Sequence, residues 1–379
     1  MTLRQLKRVR TFRNRETGEE SQRFLRVLPK GLTVDPDYVQ HDLDPGTYTT
    51  LFREIEVVPM LETLDEEGRA LLSLPAGTIS ETRKEFLTRL IAAFEKFIEE
   101  NWSQTKFHIV AHSSGFDSRF ISAMIKRIAQ RRGSSWLGEV IFACTGNECA
   151  GFERVMEFES WDESRYALFS DWQDFYKFTL DFNQVWKWAN GAMMFTRSPN
   201  VYMIEKLQES GRAPADEGEI QAWSGYDSNT LFAWSNAPEA GDRLRWRYDL
   251  NYRYHESLDF YKAGEEVNPF QSYDVLSVTV SSRVRLGSNL RAALYEFFNP
   301  ALAAIPRFDS KWQTMTPEQV QEKQSEYLAS WYGRNVRPEA VKIITPATWG
   351  YADWWSYWTS AGLIEHLFKQ GYTISVDWN

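Results

Sequence analysis

The chain has 379 residues, 43% of them hydrophobic and 15% aromatic, enough for one large domain with a smaller companion and a substantial core. Its formal charge of −9 argues against a general nucleic-acid binder. No N-terminal apolar leader and no membrane-length apolar run is present, and Cys144 and Cys149 form neither a disulfide framework nor a zinc set, so a soluble, cytoplasmic protein is expected.

Residues 1–78 read as a small β-rich module. The first thirty residues carry nine Lys or Arg against three Glu, and RVRTFRN and SQRFLRV flank an ETGEE turn as a solvated hairpin would. TYTTLFREIEVVPM supplies further strand pattern, with Pro and Gly turns around it. Residues 79–379 form the second, larger unit, with a sheet core over about 79–240 and a helical part over about 241–379. Thr82 and Glu85 fit a capping box, and Phe86, Leu87, Leu90, Ile91, Phe94, Phe97 and Ile98 make one apolar helical stripe behind it.

Phe107 to Ala111 is a short apolar run suited to a central parallel strand. Ser113, Ser114 and Gly115 then form a turn with little side-chain bulk. Beyond it Phe120, Ile121, Met124, Ile125 and Ile128 recur at helical spacing, and Gly133 stops the helix. A small-residue turn that opens onto a helix N-terminus presents backbone N–H groups and the positive end of a dipole, which suits phosphate. Glu139–Gly146 reads as a second buried strand, Glu148–Glu159 as a helix and Tyr166–Phe169 as a third strand. This alternation predicts an α/β fold with a doubly wound parallel sheet, helices on both faces and ligands beyond the strand C-termini. The five histidines are scattered. His108 and His112 are four apart on a strand rather than a helix, and a core or solvent role is expected for both.

The hexad Ser113-Ser114-Gly115-Phe116-Asp117-Ser118 resembles the SGGxDS pyrophosphate loop of the ATP pyrophosphatases, with Ser114 where that family has its first glycine. Serine lacks glycine's freedom at positive φ. Two later blocks extend the resemblance to the asparagine synthetase-like members, whose fold is adenine nucleotide alpha hydrolase-like. MFTRSPNVYMIEKLQESG followed by IQAWSGYDSNTLF is similar to their second loop segment: Ser224, Gly225 and Asp227 match, and Ser228 replaces a glutamate. NPFQSYDVL and RVRLGSNLRAALYEFFNPAL are similar to their PFLD segment and the helix after it. The blocks keep their order across roughly residues 80–317.

The resemblance implies an ATP-dependent ligase that adenylates a carboxylate, releases pyrophosphate and passes the acyl group to an amine or ammonia. It implies ATP or pyrophosphate contacts at Ser113, Ser114, Gly115, Asp117, Ser118, Thr145, Gly146, Ser224 and Gly225, and Mg²⁺ on Asp117 and Asp227. The alternative for Asp117 is a helix N-cap. A cation near the α-phosphate is implied at Arg307 or Lys311, beside the solvated-surface alternative for each. Family members with a glutaminase domain carry a cysteine after the initiator Met; Thr2 stands there, so ammonia, an amine or a separate nitrogen-donor protein is the expected nitrogen source. Ser114 and Ser228 also support a second expectation, a degenerate nucleotide-binding module without catalysis. Trp354, Trp355 and Trp358 fall within about one helical turn, the spacing of a core or interface cluster.

Overall fold

The computed structural model describes residues 11–21, 26–35, 52–58, 77–146, 149–171, 174, 198–225, 265–284, 286, 290–305 and 364–376. Asp227, Ser228, Arg307, Lys311 and the tryptophans at 354, 355 and 358 lie outside the described residues. In chain order the strands are β1 (Thr11–Asn14), β2 (Glu20–Ser21), β3 (Gly31–Val34), β4 (Ile55–Val58), β5 (Phe107–Ala111), β6 (Val140–Thr145), β7 (Tyr166–Phe169), β8 (Ile220–Trp223), β9 (Glu265–Val267) and β10 (Thr373–Val376). The helices are α1 (Arg83–Asn101), α2 (Phe116–Arg132), α3 (Cys149–Phe158), α4 (Ser198–Glu209), α5 (Tyr273–Ser281), α6 (Leu290–Phe298) and α7 (Pro300–Ala303).

The central sheet has five strands, all parallel, in the order β7-β6-β5-β8-β9. Strands buried on both faces should read as near-continuous apolar runs, and β5 and β6 do. Alternate residues divide between two cores. Val110, Phe142, Cys144 and Trp223 pack with Phe86, Leu90 and Phe94 of α1 and with Phe120, Met124 and Ile125 of α2. Phe107, Ile109, Ile141, Ala143, Ile220 and Ala222 pack on the opposite side with Tyr202, Met203, Ile204 and Leu207 of α4. Among the described residues no helix is long and apolar enough to cross a membrane.

Local signals account for the element ends nearest the sheet. Glu85 N–H donates to Thr82 Oγ1 at 3.2 Å, and Thr82 N–H to Glu85 Oε2 at 2.8 Å, which completes the capping box of α1. At the far end of α2, Gly133 takes φ 93° and its N–H reaches Ala129 O at 2.8 Å. His108 is a core residue: its ring stacks on Trp102 at 3.7 Å, its Nδ1 accepts from Trp223 Nε1 at 3.0 Å, and burial lowers its pKa to about 4.

Two strands depart from the expected layout. β9 joins the sheet edge from beyond residue 240, where a helical part was expected; three residues are too few to show a period. β10, near the chain end, pairs in parallel with β3 of the N-terminal module. β1, β2 and β4 form a separate three-stranded antiparallel sheet.

Candidate functional site

From β5 the strand order runs outward through β6 and β7, and then in the opposite direction through β8 and β9. Order therefore reverses between β5 and β8, and crevices open at such reversals past the strand C-terminal ends. The loop after β5 is Ser113–Gly115, and the residues after β8 are Ser224 and Gly225. The two meet. A Cβ placed on Gly225 would lie 3.2 Å from Asp117 C and 3.2 Å from Ser118 N, so the second loop rests directly on the backbone of the first turn of α2. Glycine at 225 is what permits this approach. Ser224 is buried and its N–H donates to Val267 O at 3.2 Å, which holds β8 to β9 at the same edge.

The first loop is tightly built. Ser114 takes φ 51°, a left-handed conformation that a non-glycine residue seldom adopts. Its N–H donates to His112 Nδ1 at 3.1 Å, and its carbonyl accepts from Arg119 Nε at 2.7 Å. Ser113 N–H donates to Ser118 Oγ at 3.2 Å, and Ser118 Oγ donates to Gly115 O at 3.2 Å. Gly115 N–H donates to Ser113 Oγ at 3.4 Å. The two flanking serines, expected to contact phosphate, hold the turn itself.

Gly115 is the N-cap of α2, and no side chain caps that end. The first intrahelical bond runs from Arg119 N–H to Gly115 O at 3.1 Å, so the N–H groups of the preceding turn point past the helix end. This corrects the N-cap alternative for Asp117. The chain leaves β5 through His112, Ser113, Ser114 and Gly115, so the helix begins at Phe116 and Asp117 stands in its first turn, where a carboxylate complements the dipole.

Asp117 Oδ1 lies 3.1 Å from Arg291 Nη2, both side chains about one-quarter exposed (24% and 29%). Arg291 belongs to α6, which sits against the loop: its guanidinium is 5.9 Å from the Phe116 ring centre, and Tyr295 OH donates to Phe116 O. Arg291 carries little sequence signal. Its only signal was a basic residue in the helix following the PFLD-like block. Arg119 is a second residue without a distinctive sequence signal. It is 1% exposed, and its Nη1 donates to Leu302 O at 3.2 Å and Ile305 O at 2.6 Å.

Beneath the loop lies a buried polar chain. His112 Nε2 is 3.3 Å from Ser122 Oγ, Ser122 Oγ is 3.0 Å from Glu159 Oε1, and Trp161 Nε1 donates to Glu159 Oε2 at 2.6 Å. Burial, reinforced by the nearby Arg119 charge, lowers the His112 pKa to about 3; burial raises that of Glu159 to about 8. Both shifts favour the neutral form.

Thr145 ends β6, beside β5 in the sheet, and Gly146 follows it with φ 67°. No group of three or more potential metal-ligating side chains occurs among the described residues. Mg²⁺ takes only one or two protein carboxylates beside substrate phosphates, and Asp117, in the first turn of α2, is the described residue that would supply one. No protein-family model and no curated protein sequence matches this chain.

Proposed function

We propose that this chain is an AMP- and pyrophosphate-forming ligase on a doubly wound, adenine nucleotide alpha hydrolase-like sheet. It adenylates a carboxylate and transfers the acyl group to an amine or ammonia. One observation carries the proposal: two loops 106 residues apart in sequence, chosen for their likeness to the two nucleotide loops of one family, meet where the strand order reverses. Ser113–Ser118 and Ser224–Gly225 touch backbone to backbone there.

In the proposed reaction a carboxylate oxygen attacks the α-phosphorus of ATP, and the bond to the bridging oxygen breaks to release pyrophosphate. The amine then attacks the acyl carbon and AMP leaves with the shared oxygen. Pyrophosphate is a multiply charged leaving group, so the protein's main task is to stabilise it. The first-turn N–H groups of α2 and the dipole of a 17-residue helix face the place it would occupy. Arg291 adds a cation beside them, and Arg307 or Lys311 is assigned to the α-phosphate. When bound, Mg²⁺ on Asp117 and Asp227 would supply electrostatic stabilisation of the phosphates. A separate nitrogen-donor protein is a possible partner in the cytoplasm.

The test is AMP and pyrophosphate production from ATP with a pool of acids and amines, in wild type and Asp117→Asn. Wild-type turnover is expected to fall a hundredfold or more in the variant, about 3 kcal/mol of transition-state stabilisation. The fold should persist, because Asn is nearly isosteric. Equal AMP production by the two proteins would overturn the role of Asp117.

The Asp117–Arg291 ion pair favours a second proposal, a nucleotide-binding module without catalysis, because it neutralises the carboxylate assigned to the metal. Tight ATP binding by wild type with no AMP from any acceptor would select it.

A further inference from the structure

The phosphate loop has a serine where its conformation asks for glycine. Ser114 is fully buried at φ 51°, and an L-residue with a side chain is disfavoured there by contact of Cβ with the backbone. Such a conformation persists only where the surroundings over-determine it. The two backbone polar atoms of Ser114 are each bound by a buried side chain. Its N–H donates to His112 Nδ1 at 3.1 Å, and its carbonyl accepts from Arg119 Nε at 2.7 Å.

Neither side chain is at liberty to turn. His112 is 2% exposed; its Nε2 lies 3.3 Å from Ser122 Oγ and its ring meets Phe152 edge-on at 4.9 Å. Arg119 is pinned at its other end by the carbonyls of Leu302 and Ile305. The peptide units on the two sides of the Ser114 Cα are thus tied to different parts of the core: β5 and α3 through the imidazole, and α7 through the guanidinium.

We propose that His112 and Arg119 are positioning residues that clamp Ser114 in the left-handed conformation, so that the loop is formed for an anion before one arrives. The anion part rests on the ligase proposal; the clamp itself does not. Burial lowers the imidazole pKa and keeps Nδ1 an acceptor at neutral pH, which agrees with its bond to the Ser114 N–H.

A double-mutant cycle tests the clamp. Glycine at 114 needs no clamp, because it reaches positive φ without steric cost. His112→Leu removes the acceptor, and Arg119→Lys replaces the fork by a single ammonium that cannot span the Ser114 and Ile305 carbonyls. Each is made with Ser114 and with Ser114→Gly, and unfolding equilibrium constants are measured in urea. The expected loss is at least tenfold larger with serine at 114 than with glycine. His112→Asn, whose Oδ1 can replace Nδ1 as acceptor, should recover most of the loss. A variant that folds only with glycine at 114 shows the same coupling. Equal losses in the two backgrounds, or failure to fold in both, overturn the clamp.

Affinity for inorganic pyrophosphate is measured on the same proteins. It should fall tenfold or more in the single variants and return on addition of Ser114→Gly. A wild type that binds neither pyrophosphate nor ATP, combined with a coupled unfolding cycle, sinks the ligase proposal and leaves the clamp standing. Wild-type binding combined with an additive cycle does the reverse.

Discussion

Gly225→Ala probes the contact between the two loops directly. The added Cβ would sit 3.2 Å from Asp117 C, 3.2 Å from Ser118 N and 3.3 Å from Ile121 Cδ1. Ordinary contact between such atoms begins near ~3.4 Å, so a few tenths of an ångström must be found somewhere. Ile121 is 1% exposed and has little room to turn. The other two atoms are backbone of a helical turn held by the Ser113–Ser118 and Arg119–Ser114 bonds. Overpacking of this kind costs about 1–3 kcal/mol, and one methyl group belongs at the lower end. Alanine recovers about 0.4–1 kcal/mol through the unfolded chain, which leaves a net loss of about 0.5 kcal/mol. Gly225→Val adds two more carbons at the same place and should cost about 3 kcal/mol.

Gly218→Ala is the control. There a Cβ would also have a neighbour at 3.2 Å, but it is the carboxylate oxygen of exposed Asp216, which can swing into solvent. Urea midpoints and ATP affinity would be measured for all three variants. Stability should fall in the order Gly218→Ala, Gly225→Ala, Gly225→Val, and ATP affinity should fall only at 225. If Gly225→Ala behaves like Gly218→Ala in the two assays, the second loop does not rest on the first and the proposed site loses its basis.

The neutral pair under the loop predicts a pH profile. The His112 pKa is lowered from 6.5 to about 3, so its contribution is present above pH 6.5 and lost as pH falls toward 3. That of Glu159 is raised from 4.5 to about 8, so its contribution is present below pH 4.5 and lost as pH rises to 8. The slopes cancel where these windows overlap, from pH 4.5 to 6.5, and from pH 6.5 to 8 stability should decline by up to about 1.4 kcal/mol per pH unit. Glu159→Gln should abolish that decline; parallel wild-type and variant curves over this range would refute a protonated Glu159. Mg²⁺·ATP at a hundredfold excess over its dissociation constant should stabilise the fold by about 2.7 kcal/mol, read as a thermal shift. A shift that is indifferent to Mg²⁺ and to chelator counts against the metal role of Asp117.

What the sequence displays is what neighbours along the chain decide. The capping box at Thr82 and Glu85, the strand at 107–111, the stop at Gly133 and the strand at 166–169 are each set within about one turn or one strand, and each stands where its pattern put it. Contacts made across the chain leave no such trace. Arg291 meets Asp117, 174 residues away, and nothing in RVRLGSNLRAALYEFF distinguishes that arginine from a solvated one. β10 falls in the stretch expected to be helical, and only the fold shows that it is a strand paired with β3. The pattern leaves His112 between a core and a solvent role, and its bond to the Ser114 N–H depends on a dihedral angle the sequence does not display.

Ser114 shows how that limit bears on function. Judged by residue type, serine at a glycine position counts toward a degenerate site. If the loop had simply relaxed, φ at this residue would have returned to the negative range, which serine prefers by about 1–2 kcal/mol. It remains at 51°, with its two backbone polar atoms bound by buried partners, so the loop keeps the turn that glycine would have allowed. Ser114 therefore does not weigh against catalysis, whereas Ser228 and Arg291 still do. The Arg291 guanidinium lies against Asp117 Oδ1, an oxygen that a magnesium ion would need. For the ligase proposal to hold, Arg291 must exchange Asp117 for an anion when ATP binds, a switch that a cation 3.1 Å from the carboxylate and beside a helix N-terminus is placed to make.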